Sequence, residues 1–444
     1  MMKMMMFLIL LIFPSIFMMN SLLNLFMFNS LIILMFFIMF MFNYNNLWMS
    51  IYSIMGLDFY SFSMLLLSIW IISLMYLVSN NIKNSNYFSL LLLMLLMVLI
   101  LSFMMMNYFM FYLFFEISLI PTFLLIMGWG YQPERMNAGM YMMLYTMFAS
   151  LPLLIIVFYL YNYFYSLNYF FMKNMMFNEE MGYMFIFMIL AFLIKLPMFM
   201  FHMWLPKAHV EAPVSGSMIL AGVMLKLGGY GIFRSMNMMF NLMVKYNIFI
   251  IIISLIGMII LSGVCLRQYD MKLLVAYSSV VHMGMMLMSL MMLNYWGVLG
   301  SLMMMIGHGF CSPLMFVMVN YFYERSNSRS MLINKGLIYF FPSMMLWWFM
   351  ICIANMSAPI SLNLLSELVM IPVILNFSMK IMIMLMIGMF ISASYSLYLF
   401  SYSMHGKFNS YLNKMFPMKI WEYFIVMMHW IPLNFFILKL DIFI

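Results

Sequence analysis

The chain has 444 residues, 68% of them hydrophobic and only 7% charged, with a formal net charge of +8. A soluble surface of this size needs far more charge, so a soluble domain is excluded and a polytopic membrane protein is implied. The positive balance does not mark a nucleic-acid partner, because no Lys/Arg cluster is dense enough to follow a phosphate backbone; the basic residues sit singly or in small groups at span ends, as in membrane proteins oriented by charge.

A helix that crosses a bilayer takes roughly 20 apolar residues. Breaks marked by charge, Asn, Gly and Pro predict fourteen helices, near 4–19, 22–42, 59–79, 87–106, 108–128, 136–163, 183–205, 212–234, 247–266, 272–293, 297–323, 336–376, 380–401 and 423–440. The expectation is an all-α polytopic protein with one membrane domain over 1–444. Its N-terminal helices lie in 1–106, its core in 108–234 and 247–401, and its last helix in 423–444. Pro197 should interrupt the seventh helix just after Lys195. The twelfth is too long to cross once and carries Ala358-Pro359 upstream of Glu367, so both read as discontinuous. Broken helices five apart predict two five-helix repeats of opposite direction, since an odd-numbered unit inverts its successor.

The topology follows from the loops. Eleven Lys and Arg fall in odd-numbered loops, Lys83, Arg135 and Lys414 among them, against six on the other face, including Lys173 and Arg234. The basic excess marks the matrix or cytoplasmic side, so both termini should face away from it. The 71 Met read as flexible apolar filler and not as a copper-thioether site. Such a Met, Phe, Ile and Asn bias accompanies AT-rich organelle genomes. With no Arg/Ser-rich amphipathic presequence visible, synthesis inside an organelle is expected. Cys265, Cys311 and Cys352 are far apart and give no disulfide framework or zinc spacing.

Four ionisable side chains interrupt otherwise apolar stretches: Glu116, Lys195, Lys226 and Glu367. A charge near the centre of a bilayer costs at least about 2.5–3.5 kcal/mol, so such residues default to an ion or proton pathway. At about 1.5 Å rise per residue, Glu116 and Lys226 lie about 12 Å deep, and His282 about 15 Å beyond Lys272. His308 reaches a similar level. With Lys195 and Glu367, six titratable groups share nearly one depth in six helices, a polar axis parallel to the membrane plane. Burial and neighbouring charge tune carboxylates and ammoniums in opposite senses, and His supplies an intermediate relay. The plain alternative is a set of static buried ion pairs fixing helix register.

Other polar clusters carry less. His202, His209 and Glu211 imitate part of a metal site, but the PCxxC partner of a deaminase motif is missing. The stretch around Pro206, Pro213 and Gly216 reads as a helix-joining turn, with His209 at the mouth of the polar axis. Gly228, Gly229 and Gly231 fit no nucleotide fingerprint and instead permit close helix packing beside Lys226. Glu134-Arg135, Arg267 with Asp270 and Lys272, and Glu324-Arg325 read as surface ion pairs anchoring loops. Asp58 reads as interfacial.

Five stretches then carry a resemblance: Trp129-Gly-Tyr-Gln-Pro-Glu-Arg135 with Asn137-Ala-Gly139; Leu205 to Pro213; Leu225-Lys-Leu-Gly-Gly-Tyr-Gly231; Arg267-Gln-Tyr-Asp270 with Ala276-Tyr-Ser-Ser279 and His282; and Asn320 to Arg329. They resemble the chain 4 family of NADH-ubiquinone oxidoreductase, a mitochondrially encoded, antiporter-like part of respiratory complex I, over about 105–400. The resemblance implies fourteen helices in two inverted repeats, with Glu116 facing Lys195, Lys226 linking toward His282 and His308, and Glu367 as the terminal exchange site. Sister antiporter-like chains usually carry Lys where this chain has Glu367.

No flavin, nucleotide or iron–sulfur motif is visible. The resemblance therefore implies that FMN, iron–sulfur clusters and ubiquinone are bound by other subunits and that this chain does not bind NADH. The partners expected are the other complex I membrane subunits, including chains 2 and 5, and membrane lipids, in the mitochondrial inner membrane with both termini on the intermembrane-space side. The rival reading is a free-standing monovalent cation/proton antiporter, which an Asp-rich cation site would support. Asp58, Asp270 and Asp441 are all peripheral in sequence.

Overall fold

The structure, a computed structural model, describes residues 2–17, 20–41, 48–79, 82, 84–172, 182–407 and 416–442. Lys83, Lys173 and Lys414, used above to orient the chain, lie outside the described residues, as do the last residues of the first two predicted helices. In chain order come α1 (Met2–Leu10), α2 (Ile12–Phe17), α3 (Asn20–Met41), the strands β1 (Met49–Tyr52) and β2 (Met55–Leu57), α4 (Phe59–Val78), α5 (Ser85–Met104), α6 (Tyr108–Ile117), α7 (Leu119–Trp129), α8 (Arg135–Phe164), α9 (Tyr169–Met172) and α10 (Gly182–Lys195). Then follow α11 (Trp204–Glu211), α12 (Val214–Ile219), a π-helical turn (Leu220–Met224), α13 (Leu225–Met236), α14 (Phe240–Cys265), α15 (Met271–Met291), α16 (Tyr295–Ser326), α17 (Pro342–Asn355), α18 (Leu362–Phe377), α19 (Ile381–Met404) and α20 (Ile420–Phe435).

Among the described residues, 11 helices are long and apolar enough to cross a membrane. The remaining predicted spans correspond to shorter apolar helices: α1 with α2, α10, and the pair α17 and α18. Both expected breaks are present. α10 ends at Lys195, ahead of Pro197, and helix resumes at Trp204; α17 ends at Asn355 and α18 starts at Leu362. Each break holds non-glycine residues in the left-handed region, Met200 (φ 83°) in the first and Ser357 (φ 54°) and Ile360 (φ 71°) in the second. L-residues adopt that conformation at a cost, so surrounding structure must hold it.

Two more interruptions were not expected from the sequence. The fifth predicted helix is split at Ser118 into α6 and α7. Pro121 has no N–H to offer the Ile117 carbonyl and its ring crowds that carbonyl, which accounts for the split. The eighth predicted helix contains the π turn that ends two residues before Lys226. The stretch around Pro206 is also more helical than expected: α11 spans it with Pro206 in the first turn, where a missing N–H is harmless, leaving only Ala212 and Pro213 as the joint.

The chain divides into two compact units, one of 1–195 with 211–245, the other of 196–210 with 246–444. In the first, the capping box of Asp58 and Ser61 starts α4, and α10 packs on both α8 and α13. Gly231 makes the second contact possible, since a Cβ there would lie 2.3 Å from the Phe192 ring. In the second, α16 is the central helix, packed on α15, α18 and α20. Gly307 brings it against Asn363 of α18, where a Cβ would meet the amide oxygen at 2.3 Å.

Candidate functional site

In the first unit, Lys195 is the last residue of α10 and is 1% exposed. A cation suits that position, where the helix presents its negative end. Its Nζ donates to the Phe115 carbonyl at 2.9 Å and to the Ser118 hydroxyl at 3.3 Å. The same ammonium lies 3.4 Å from the centroid of the Phe115 ring. Glu116 is within electrostatic reach of Lys195 and is hydrogen-bonded to Ser150, while its Oε1 has no hydrogen-bond partner. The structure thus places Glu116 within electrostatic reach of Lys195, while the lysine head rests on the α6/α7 break.

Lys226 is fully buried, and its Nζ donates to the Ala221 carbonyl. Ala221 lies in the π turn, where the wider winding displaces carbonyls from the regular helical ladder. The π turn therefore supplies an acceptor for this lysine.

Further along α13, Arg234 forms a bidentate pair with Asp58, both distances 2.7 Å, and donates to the Tyr230 hydroxyl at 2.7 Å. Asp58, the N-cap residue of α4, is thus buried within the protein, 7% exposed. Burial pushes its carboxyl up, but the Arg234 guanidinium and the Ser61 bonds outweigh this and hold it below the usual carboxylate value. Arginine does not give up its proton, so this pair stays charged and cannot switch.

In the second unit, Glu367 on α18 accepts from the hydroxyl of Ser357. Its Oε1 is 3.9 Å from Nδ1 of His282 on α15. The His282 and His308 rings are 5.8 Å apart between centroids, and His308 Nδ1 is 3.3 Å from the Ser312 hydroxyl. The Tyr395 hydroxyl lies 3.4 Å from His282 Nε2. A chain of titratable groups, His308 to His282 to Glu367, is thus formed inside apolar helices. His209 is also in this unit, buried, with its ring stacked on Phe316 at 4.7 Å. His202 stacks on Phe199 at 5.7 Å.

Sequence reasoning missed Phe115, Ser118, Ser357 and Tyr395. Pro121 could have located the break at Ser118, because a proline inside an apolar helix interrupts it about one turn back; Phe115 gave no signal. Ser357 and Tyr395 gave no signal, since a single hydroxyl in an apolar stretch is common. One pairing also differs from expectation. Arg325 pairs with Glu422 at 2.5 Å and not with Glu324, whose carboxylate instead accepts from Asn320 at 2.6 Å. Adjacent residues on a helix point about 100° apart, so Glu324 and Arg325 cannot share a face.

The family model described as NADH:quinone oxidoreductase/Mrp antiporter, TM, matches residues 105–392, and one described as NADH-ubiquinone oxidoreductase chain 4, amino terminus, matches residues 1–106. The relative named NADH-ubiquinone oxidoreductase chain 4 in Ceratitis capitata is 50% identical over 403 residues, 89% of this chain and 90% of the relative. Those of Locusta migratoria (47%, covering 93% of each chain) and Aedes aegypti (51%, covering 86% and 87%) are similar. Among solved structures, a chain of respiratory complex I from Thermus thermophilus with bound NADH superposes with a TM-score of 0.87 at 20% identity, covering 97% of this chain and 94% of that one. A chain of the archaeal membrane-bound sulfane sulfur reductase gives 0.85 at 17% identity, covering 98% and 75%. At these identities the likeness is one of fold.

Proposed function

Because the chain belongs to the NADH-ubiquinone oxidoreductase chain 4 family, we propose that it is a membrane subunit of H+-translocating NADH:ubiquinone reductase, complex I. In this reading it moves protons across the mitochondrial inner membrane while other subunits carry electrons from NADH to ubiquinone. FMN, iron–sulfur clusters and quinone belong to those subunits, and the antiporter-like chains 2 and 5 are among its neighbours. Both termini face the intermembrane space, a reading supported by the Lys/Arg excess in the odd-numbered loops. The core is two inverted five-helix repeats, for which the paired broken helices speak.

The observation that carries this reading is the set of titratable side chains held inside apolar helices: Lys195 beside Glu116 and buried Lys226 in the first unit, and Glu367 with His282 and His308 in the second. Each is built of groups able to take and release a proton, unlike the fixed Asp58–Arg234 pair. We assign proton translocation to Glu116, Lys195, Lys226 and Glu367, with His282 and His308 as relays. His209 is a further relay candidate; its support is burial alone.

The test is proton translocation by assembled complex carrying Glu116→Gln or Lys226→Ala, scored beside assembly. Each variant should lose pumped protons per electron while assembling normally. A normal proton-to-electron stoichiometry in both would overturn the reading.

A further inference from the structure

The three contacts of the Lys195 ammonium come from two residues at one helix break, and neither is a carboxylate. We propose that Phe115 and Ser118 form a second resting place for the Lys195 cation, distinct from Glu116, so that the lysine head alternates between this cage and the carboxylate. The inference rests on the proton-translocating reading of Lys195.

The cage is built by the chain itself. Pro121 splits the helix at Ser118, and the Phe115 carbonyl then accepts from both the Ser118 hydroxyl at 2.6 Å and Lys195 Nζ at 2.9 Å. The Ser118 oxygen accepts from the ammonium in turn. The Phe115 ring presents its face to the cation at 3.4 Å, and a desolvated ammonium is attracted to that face by the ring quadrupole. The ring cannot turn freely, because Phe192 meets it edge-on at 5.4 Å and Phe111 packs on it at 5.9 Å. Phe192 is itself confined by Gly231. All of these residues belong to the first unit.

The second observation is at Glu116. With the lysine head on the break, Glu116 Oε1 has no hydrogen-bond partner. The cation is therefore held here by the cage contacts and not by the carboxylate. Glu116 lies within electrostatic reach of the ammonium, and the proposed swing of the lysine head would bring the two into contact. An alternating ion pair needs two acceptor sites for one cation; a single deep ion pair would hold the lysine still. Phe115 and Ser118 are then positioning residues, acting through Lys195.

The test compares assembled complex carrying Phe115→Leu, Phe115→Tyr, Ser118→Ala or Lys226→Ala, with proton pumping and NADH-driven electron flow measured at matched assembly. Phe115→Leu keeps an apolar side chain but removes the ring face, and should lower pumping about thirtyfold, the fold-change that corresponds to a desolvated cation–π contact. Phe115→Tyr keeps the face and should restore pumping to near the parent level, a rescue that a purely packing role would not require. Ser118→Ala removes one hydroxyl and should act in the same direction more weakly, without burdening folding. Unchanged pumping in Phe115→Leu and Ser118→Ala, or failure of Phe115→Tyr to recover beside an impaired Phe115→Leu, would overturn the cage. If those results accompany an impaired Lys226→Ala, the cage alone fails. If Lys226→Ala pumps normally as well, and Glu116→Gln with it, the functional reading falls and the cage with it.

Discussion

Two kinds of buried charge coexist in the first unit, and residue chemistry separates them. Arg234 holds Asp58 with two hydrogen bonds and a third to Tyr230, and its guanidinium stacks 4.5 Å from the Trp48 ring. Such a planar, permanently charged fork serves fixed geometry, whereas a lysine ammonium can exchange partners and protons. Arg234→Ala leaves the Asp58 carboxylate buried and alone, which should cost about 3–5 kcal/mol. We expect loss of assembled complex on blue-native gels, with Arg234→Lys recovering part of it; full assembly of the alanine variant would show that Asp58 finds another partner. The pH sign is also fixed. Because the Asp58 value is lowered in the fold, the pair's contribution is complete above the ordinary carboxylate value and disappears only as pH falls through the lowered one. Thermal stability of the assembled complex should therefore show no loss from this pair across the neutral range, and a step there that Asp58→Asn removes would contradict it.

Elements are placed by close approach as much as by burial. α10 and α13 meet at Gly231, where an added methyl would lie 2.3 Å from two Phe192 ring atoms. Gly→Ala in a helix gains up to about 1 kcal/mol of propensity, but overpacking a tight interface costs about 1–3 kcal/mol. Gly231→Ala should therefore be neutral to destabilising, and because Phe192 supports Phe115 it should also lower pumping. Gly263 of α14 has open space around its Cβ position, so Gly263→Ala should raise the melting temperature slightly. Comparing the two melting temperatures checks the packing: a stabilising Gly231→Ala would show that Phe192 moves aside freely. The breaks obey local rules too. Pro197 and Pro121 lie where backbone bonds are lost, and Ser361 caps the resumed α18 by accepting from the Leu364 N–H. The sequence made the breaks near Pro197 and Pro359 readable because flanking polar residues drew attention to them. The break ahead of Pro121 was hidden inside an uninterrupted apolar run.

At the scale of the whole molecule, the chain leaves large apolar side chains exposed along its helices, among them Phe148 and Ile155 on α8 and Ile383 and Phe390 on α19. In a membrane subunit such faces meet lipid or neighbouring subunits. A subunit of complex I should migrate only in one very large assembly on blue-native gels. A small free species at steady state would instead favour an independent antiporter.

The amino-acid sequence by itself determined the membrane class, the order of the apolar helices, two of the breaks, and the ionisable residues, because hydrophobic length and the cost of charge in lipid are local properties of the chain. It also carried the family resemblance in its polar motifs. Only tertiary structure decided partners. Lys195 rests on Phe115 and Ser118, Asp58 is claimed by Arg234, Arg325 takes Glu422 in place of its sequence neighbour, and Glu367 gains Ser357 and His282. Those choices depend on which helix faces meet across separations of 10 to 176 residues, and a depth along one helix says nothing about the direction in which its side chains point.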